Sequence, residues 1–278
     1  MPERRVHTLL AGRGLVESPR WHAGRFWFAD WGSGEILAFD PTTGAAEVVA
    51  RAPAPPLSFD FLPDGRMIIV GGRERRLLRR EKHGELVTHA DLSDLGDGWN
   101  EIVIDGRGNI YINGGNADPT VGNVDLVAVD GSVRRVAEDA AFPNGMTIAP
   151  DNGTLILAES HGGRLTAFDI EPSGNLSNRR IWAELDGAAP DGIVMDAEGA
   201  VWYADVPNRK CARVAEGGHI LEEVMLDRGG FACMLGGPGR RTLYITAAKW
   251  FGMERMSEMA GTGRILSVDV TVPGAGWP

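Results

Sequence analysis

The sequence has few cysteines, too little positive charge to balance its acidic residues, and no long apolar run. Its two cysteines, Cys211 and Cys233, lack metal-ligand or redox spacing, which favours packing thiols over a disulfide or a nucleophile. A formal net charge of -10 disfavours nucleic acid and anionic membranes as partners. No segment approaches the roughly 18 apolar residues of a membrane span, and the first residues lack the apolar part of a signal peptide. We therefore expect a cytoplasmic protein.

Two catalytic sequence motifs are also missing. The chain contains no Gly-x-Ser-x-Gly elbow and no glycine-rich phosphate loop at the start of a helix. These absences give no support to a serine hydrolase or a nucleotide-dependent enzyme. The arginine-rich segment 73–80 is interleaved with Leu77 and Leu78, so we expect it to belong to a hairpin rather than to a phosphate site.

What the sequence does contain is a repeat. Six strand-like runs each follow a turn with a glycine, and these glycines are about 40 to 46 residues apart: Gly24, Gly65, Gly108, Gly153, Gly199 and Gly239. This period is typical of the four-stranded blades of a β-propeller. The sequence therefore predicts an all-β fold, a six-bladed β-propeller that occupies residues 1–278 as a single domain.

The strand count predicts how the ring closes. The last repeat is one strand short, whereas residues 4–10 form a strand-like run before the first repeat. We expect this N-terminal run to supply the outer strand of the last blade, since an unpaired edge would invite association with another chain. Deletion of residues 1–10 should then destabilise the whole fold.

An oxygen-bearing side chain recurs at the head of four of the apolar strands, 7 to 9 residues before the glycine turn: Glu17, Asn100, Asn144 and Asp191. In a closed ring these side chains converge on the axis. Two carboxylates and two amides suit a hard divalent cation, with Ca²⁺ as the first choice and Zn²⁺, Mn²⁺ or Fe²⁺ as alternatives. So few ligands leave coordination positions open for water and substrate. The competing interpretation is that Asn144-Gly145 and Asp191-Gly192 are turn residues that cap backbone groups.

Four segments carry a resemblance to a known family: Gly14–Trp21 (GLVESPRW), Phe142–Met146 (FPNGM), Leu176–Arg180 (LSNRR) and Pro190–Ile193 (PDGI). They resemble the senescence marker protein, gluconolactonase and luciferin-regenerating enzyme family. The resemblance implies a six-bladed, metal-dependent propeller, in most members a lactonase. It also implies that Glu17, Asn144 and Asp191 are the metal ligands and that Asn100 lines the substrate pocket.

The sequence departs from the sugar-lactone members before Asn100. Where they typically have an arginine that would contact substrate hydroxyls, this chain has Gly98, followed by Trp99. Trp99, Trp250 with its neighbours Phe251 and Met253, and Phe59 are candidates for apolar pocket walls. A less polar lactone or ester is therefore the expected substrate.

The expected reaction is hydrolysis. The cation would polarise the lactone carbonyl and lower the pKa of a bound water, with Asp191 as the candidate general base. His161 could bind substrate, and Lys249 could hold a substrate carboxylate. Two alternatives stay open: hydrolysis of a phosphotriester or another ester at the same site, and a non-catalytic propeller whose channel is plugged by the metal. The sequence carries no signal for oligomeric state.

Overall fold

The computed structural model describes residues 4–52, 55–72, 74–96, 98–114 and 120–276. Over these residues the chain forms six antiparallel sheets of four strands each, arranged as the blades of a β-propeller. This architecture confirms the predicted all-β, six-bladed fold. Within the described ranges, every helix is too short and too polar to cross a bilayer.

The strands are, in chain order, β1 (His7–Arg13), β2 (Val16–His22), β3 (Arg25–Asp30), β4 (Glu35–Phe39), β5 (Ala46–Arg51), β6 (Leu57–Phe61), β7 (Met67–Gly71), β8 (Arg76–Arg80), β9 (Leu86–Asp91), β10 (Trp99–Ile104), β11 (Ile110–Gly114), β12 (Val121–Val127), β13 (Val133–Ala141), β14 (Pro143–Ile148), β15 (Thr154–Glu159), β16 (Arg164–Ile170), β17 (Leu176–Glu184), β18 (Pro190–Met195), β19 (Val201–Asp205), β20 (Lys210–Val214), β21 (Ile220–Met225), β22 (Gly229–Gly236), β23 (Thr242–Ala248) and β24 (Gly263–Asp269). Two 3₁₀ helices cover Pro238–Arg240 and Met253–Met259.

Each blade is a meander of consecutive strands, except the last. Blades 1 to 5 are β2 to β5, β6 to β9, β10 to β13, β14 to β17 and β18 to β21, and blade 6 combines β22 to β24 with β1. The first strand of each blade is the inner one, and each inner strand contacts the next around the ring, with β22 contacting β2. The six predicted glycine turns all fall between the first and second strands of their blades.

The ring closes as predicted, because β1 pairs antiparallel with β24. His7 lies opposite Ser267, and Ala11 lies opposite Arg264. Leu9 and Leu10 are partly buried against the core of blade 6. The first and last strands of the propeller are therefore held in one sheet, and β1 covers the outer edge of β24.

The packing between blades depends on close approach of the inner strands. A Cβ placed on Gly192 would lie 2.2 Å from Cβ of Ala232 in the next blade, and one on Gly145 would lie 2.5 Å from the carbonyl oxygen of Asp191. Both glycines are interior strand residues in β14 and β18. The interpretation of Asn144-Gly145 and Asp191-Gly192 as turn residues is therefore wrong: these glycines let adjacent blades approach.

Candidate functional site

A cavity of about 380 Å³ opens at the end of the propeller axis where the inner strands begin. The four oxygen-bearing residues predicted from the sequence all line it. Its remaining walls are largely apolar and come from Leu15, Trp31, Pro56, Phe142, Ala189, Val206, Pro207, Phe231, Trp250 and Met253. Such a concave apolar site with a few convergent polar groups is typical of a small-molecule site.

The local backbone explains why the four oxygens point the same way. Glu17, Asn100, Asn144 and Asp191 are each the second residue of an inner strand. In all four strands the pairing register shifts at this position or directly after it, which marks a β-bulge. A bulge bends the strand and re-aims its side chains. By contrast β6, whose second residue is Ser58, pairs without a shift.

Hydrogen bonds order the amide side chains of the site. Nδ2 of Asn100 donates to Oδ1 of Asn144 at 3.4 Å, and Nδ2 of Asn144 donates to Oγ of Ser160 at 3.3 Å. Oγ of Ser160 donates in turn to the carbonyl oxygen of Pro190 at 2.7 Å. This series of hydrogen bonds links blades 3, 4 and 5 at the cavity floor. It fixes the orientation of Asn144 next to Asp191.

The two carboxylates repel each other in a desolvated setting. Burial raises the pKa of Glu17 well above its ordinary value, and the negative charges of Asp191 and Glu101 raise it further. Burial likewise raises the pKa of Asp191, with an added contribution from Glu101, while a hydrogen bond from the Asn144 side chain opposes the rise. Among the residues that the structure describes, no arginine, lysine or histidine forms an ion pair with Glu17 or Asp191.

This electrostatic arrangement fits a divalent cation. A buried carboxylate (Glu17) next to a half-buried one (Asp191), with no ion pair to either in the described part of the chain, is costly unless a positive charge compensates them. The described residues contain no group of three or more His, Cys, Asp and Glu side chains placed for a metal ion, so a metal here would depend on amide oxygens as well. Carboxylate and amide oxygens together form a donor set suited to Ca²⁺. Glu17, Asn144 and Asp191 would hold the ion, with Asn100 beside them.

A buried polar network lies directly beneath these candidate ligands. Oε1 and Oε2 of Glu101 accept hydrogen bonds from Oγ of Ser18 at 2.7 Å and from Oγ of Ser58 at 2.9 Å. Arg20 approaches Oδ1 of Asp60 at 3.2 Å and Oε2 of Glu101 at 3.9 Å. The network ties the inner strands of blades 1, 2 and 3 together and places Arg20 next to Glu101 and Asp60, not Glu17 or Asp191.

The other predicted site residues divide into two groups. His161 and Trp250 both line the cavity; His161 is exposed at its rim and stacks on Phe142, with ring centroids 4.6 Å apart. Trp99 does not line it: its side chain is fully buried in the hydrophobic core between blades 2 and 3. Phe59 is likewise buried in the core beside blade 1. The predictions that Trp99 and Phe59 form pocket walls are wrong.

Sequence reasoning also missed residues that the cavity contains. Glu101 and Ser160 line it, and Phe142 forms part of its wall with a backbone φ of 57°, a left-handed conformation that a bulky residue rarely adopts. Each of these residues is a direct neighbour, or a near neighbour, of a predicted position. The sequence motif FPNGM contains Phe142, but nothing in its pattern shows that the ring faces the cavity.

The fold and the site define a six-bladed propeller with a central, oxygen-lined small-molecule cavity. The chain belongs to the SMP-30/gluconolactonase/LRE-like family, whose sequence model matches residues 15–249. It is 25% identical over 242 residues to the pentonolactonase XacC of Haloferax volcanii, covering 78% of this chain and 82% of that protein. It is 25% identical over 288 residues to the 6-deoxy-6-sulfogluconolactonase of Pseudomonas putida, covering 95% and 94% of the two chains.

A solved structure supports the same fold. The calcium-binding protein regucalcin of Agrobacterium tumefaciens superposes with a TM-score of 0.82 at 22% sequence identity, covering 99% of this chain and 97% of that one. At this identity the likeness establishes the architecture alone. The family membership rests on the sequence match.

Proposed function

We propose that this protein is a metal-dependent lactonase that hydrolyses a predominantly apolar lactone. The observation that carries the proposal is that the buried carboxylate of Glu17, the half-buried carboxylate of Asp191 and the amide of Asn144 line one apolar cavity. The lactonases named among the relatives support the reaction class. The protein is accordingly a lactone-hydrolysing enzyme of its family.

The cation is proposed to be Ca²⁺, on the basis of an oxygen-only donor set with two carboxylates. The calcium-binding relative agrees with this choice. When bound, the ion supplies positive charge opposite the carbonyl oxygen, where negative charge develops during attack by water. Glu17 and Asp191 would neutralise that ion, and Asn144 would complete the protein ligands without adding charge.

Asp191 is proposed as the general base. Its carboxylate would accept the proton of the attacking water at Oδ1 or Oδ2, and the hydrogen bond from Asn144 orients it for this role. Burial and the negative charge of Glu101 raise the pKa of Asp191 in the metal-free protein, and a bound cation would lower it again, so the position of Asp191 beside Asn144 supports this role rather than its pKa.

The cavity walls select the substrate. Asn100 can donate to or accept from a polar group near the reacting carbonyl, because its side chain lines the cavity beside Asn144. Above this floor, Trp31, Phe231 and Trp250 offer an apolar surface and few hydrogen-bonding groups. At position 98, the glycine leaves no side chain to bind hydroxyl groups, and a Cβ there would meet open space. These walls favour an alkyl- or aryl-substituted lactone over a polyhydroxylated one.

The test is a panel of lactones, sugar lactones, carboxylic esters and phosphotriesters, assayed with Ca²⁺, Zn²⁺, Mn²⁺ or chelator. The proposal expects the highest kcat/KM for an apolar lactone with Ca²⁺ and strong loss with chelator. Asp191→Asn should remove most turnover while metal is bound, and Glu17→Gln should chiefly weaken metal affinity. Hydrolysis of none of these compounds, with metal demonstrably bound, would contradict it and favour a non-catalytic propeller.

A further inference from the structure

A second cavity, of about 300 Å³, lies beside the cavity that Glu17 and Asp191 line. The cavity with Glu17 and Asp191 is called the main cavity below, and the second one the side cavity. Val206, Pro207 and Trp250 line both, so the two spaces are neighbours across these three residues. The remaining walls of this side cavity come from the turn between β19 and β20, the start of β22 and the segment after β23. Trp250 therefore lies at the boundary between the main cavity and the side cavity.

The side cavity is positively charged. Three basic residues line it, Arg209, Arg228 and Lys249, together with one carboxylate, Asp227. Arg228 pairs with Asp227 through two hydrogen bonds of 2.8 and 2.7 Å, and Arg264 also approaches Asp227 at 3.3 Å. Asp227 is therefore fully engaged by other arginines.

Arg209 and Lys249 are left without such a partner. Neither side chain forms an ion pair with any residue in the described part of the chain, and both are exposed to solvent. The protein has a formal net charge of -10, so its overall field repels anions. Two uncommitted cations beside the cavity mouth create a local site where an anion is attracted.

The backbone at Arg209 gives a further indication. Its φ is 52°, a left-handed conformation that glycine and asparagine adopt more readily than arginine. The turn itself therefore does not explain why an arginine occupies this position. A role for the guanidinium in the side cavity would explain it, since Arg209 and Lys249 lie on two different loops that meet there.

We propose that the side cavity binds an anionic substituent of the substrate, so that the preferred substrate is a lactone with an apolar body and a terminal carboxylate or sulfonate. Arg209 and Lys249 bind the anion, while the lactone carbonyl occupies the main cavity near Asp191. This inference rests on the proposed lactonase function for the identity of the reacting group. It makes Arg209 and Lys249 specificity-determining residues without a part in the chemical step.

Binding can be measured separately from hydrolysis. The probes are cyclopentanones that carry an alkyl chain ending in a carboxylate, a sulfonate or a neutral carboxamide, over a series of chain lengths. They keep the carbonyl and cannot be hydrolysed. Isothermal titration should show tighter binding of the anionic probes at one chain length, by about tenfold over the carboxamide, because charge-assisted hydrogen bonds exceed neutral ones in strength. The carboxylate and sulfonate arms identify which anion is preferred.

The variants locate the anion site. Arg209→Asn combined with Lys249→Gln should remove the preference for anionic probes and leave carboxamide binding unchanged. The matched control combines Lys82→Gln and Arg107→Gln, which remove one exposed lysine and one exposed arginine in turns of blades 2 and 3. Equal binding of anionic and neutral probes by the wild type, or an equal loss in the control, would overturn the proposal, as would failure of all probes to bind.

The same variants keep this proposal separable from the proposed function. If the anionic probes bind through Arg209 and Lys249 but no lactone is hydrolysed, the lactonase assignment fails and the anion site stands. If neutral lactones are hydrolysed and the anionic preference is absent, the lactonase assignment stands and the anion site fails. If both proposals are correct, the variant with Arg209→Asn and Lys249→Gln has about tenfold lower kcat/KM for a carboxylate-bearing lactone. Its kcat/KM for the methyl ester of that lactone is unchanged.

Discussion

Ser18 donates a hydrogen bond of 2.7 Å from its Oγ to Oε1 of Glu101. Each residue directly follows a residue of the candidate site in the chain, Ser18 after Glu17 and Glu101 after Asn100. The bond therefore couples the backbone of one candidate metal ligand in blade 1 to the backbone of a substrate contact in blade 3. The buried hydrogen bonds of Glu101 with Ser18 and Ser58 therefore help to hold the site oxygens in position, in addition to the strands that carry them.

Removal of Glu101 should release this coupling. Glu101→Ala removes the acceptor of the buried Ser58 hydroxyl and leaves the Ser18 hydroxyl only its longer contact, 3.4 Å to the carbonyl oxygen of Leu57, so we expect a loss of about 2 to 3 kcal/mol in unfolding free energy. Metal affinity should also fall. Ser58→Ala removes one donor only and should cost about 1 kcal/mol. Urea denaturation and calcium titration measure both effects, and equal stability of the two variants would contradict the role of Glu101 as the shared acceptor.

Stability without metal should depend on pH in a defined direction. Folding raises the pKa of Glu17 and Asp191, so the folded state holds protons on these groups more tightly than the unfolded chain. Their contribution to stability is present below the ordinary carboxyl pKa of about 4 and is lost as pH rises through the raised values. We expect the chelator-treated protein to lose stability over this range, and Ca²⁺ to restore more stability at pH 8 than at pH 5.

Replacement of Asp191 should change the stability of the metal-free and the Ca²⁺-bound protein in opposite directions. Asp191→Asn removes one of two neighbouring carboxylate charges that form no ion pair in the described part of the chain, so the chelated variant should be more stable than the chelated wild type at pH 8, by on the order of 1 to 3 kcal/mol. With Ca²⁺ the order should reverse. Thermal unfolding with chelator or Ca²⁺ measures the four cases. A chelated variant that is less stable than the wild type would show that another group compensates these carboxylates.

The glycines after the site residues should be sensitive to a single methyl group. Gly192→Ala places a Cβ 2.2 Å from Cβ of Ala232, and Gly145→Ala places one 2.5 Å from the carbonyl oxygen of Asp191. Each should destabilise the protein by about 1 to 3 kcal/mol and shift the adjacent candidate metal ligand, Asp191 or Asn144. Gly153→Ala is the control, since its Cβ meets only the flexible side chain of Asp151, at 3.1 Å. Comparable losses in all three variants would contradict the packing argument.

Deletion of residues 1–10 should weaken ring closure. It removes the part of β1 that pairs with Leu266 and Ser267, and it exposes the edge of β24. We expect a lower midpoint in thermal unfolding and concentration-dependent association through that edge. Arg4→Ala, which removes the ion pair with Glu222 and the hydrogen bond to the carbonyl oxygen of Asp269, serves as the milder comparison. Unchanged unfolding and a monodisperse scattering profile for the truncated chain would show that β1 is dispensable.

Much of this architecture follows from the sequence. The glycine spacing predicts the six blades, and the recurring oxygen at the second residue of four inner strands predicts the floor of the cavity. The walls could not be predicted in the same way. In a regular strand neighbouring side chains face opposite sides, yet Asn100 and Glu101 both line the cavity, because the register shifts between Trp99 and Ile102. A bulge leaves no clear pattern in one sequence, so Glu101 was missed.

Trp99 and Trp250 likewise occupy environments that the sequence alone does not distinguish. Both were expected at the pocket, but Trp99 is 0% exposed within the core, whereas Trp250 is 42% exposed at the cavity. Trp99→Ala should lower unfolding free energy by about 3 to 5 kcal/mol, through packing alone. Trp250→Ala should leave stability nearly unchanged and raise KM for an apolar lactone. Chemical denaturation and steady-state kinetics on both variants separate the roles, because a wall residue changes substrate binding while a core residue changes the fraction of folded enzyme.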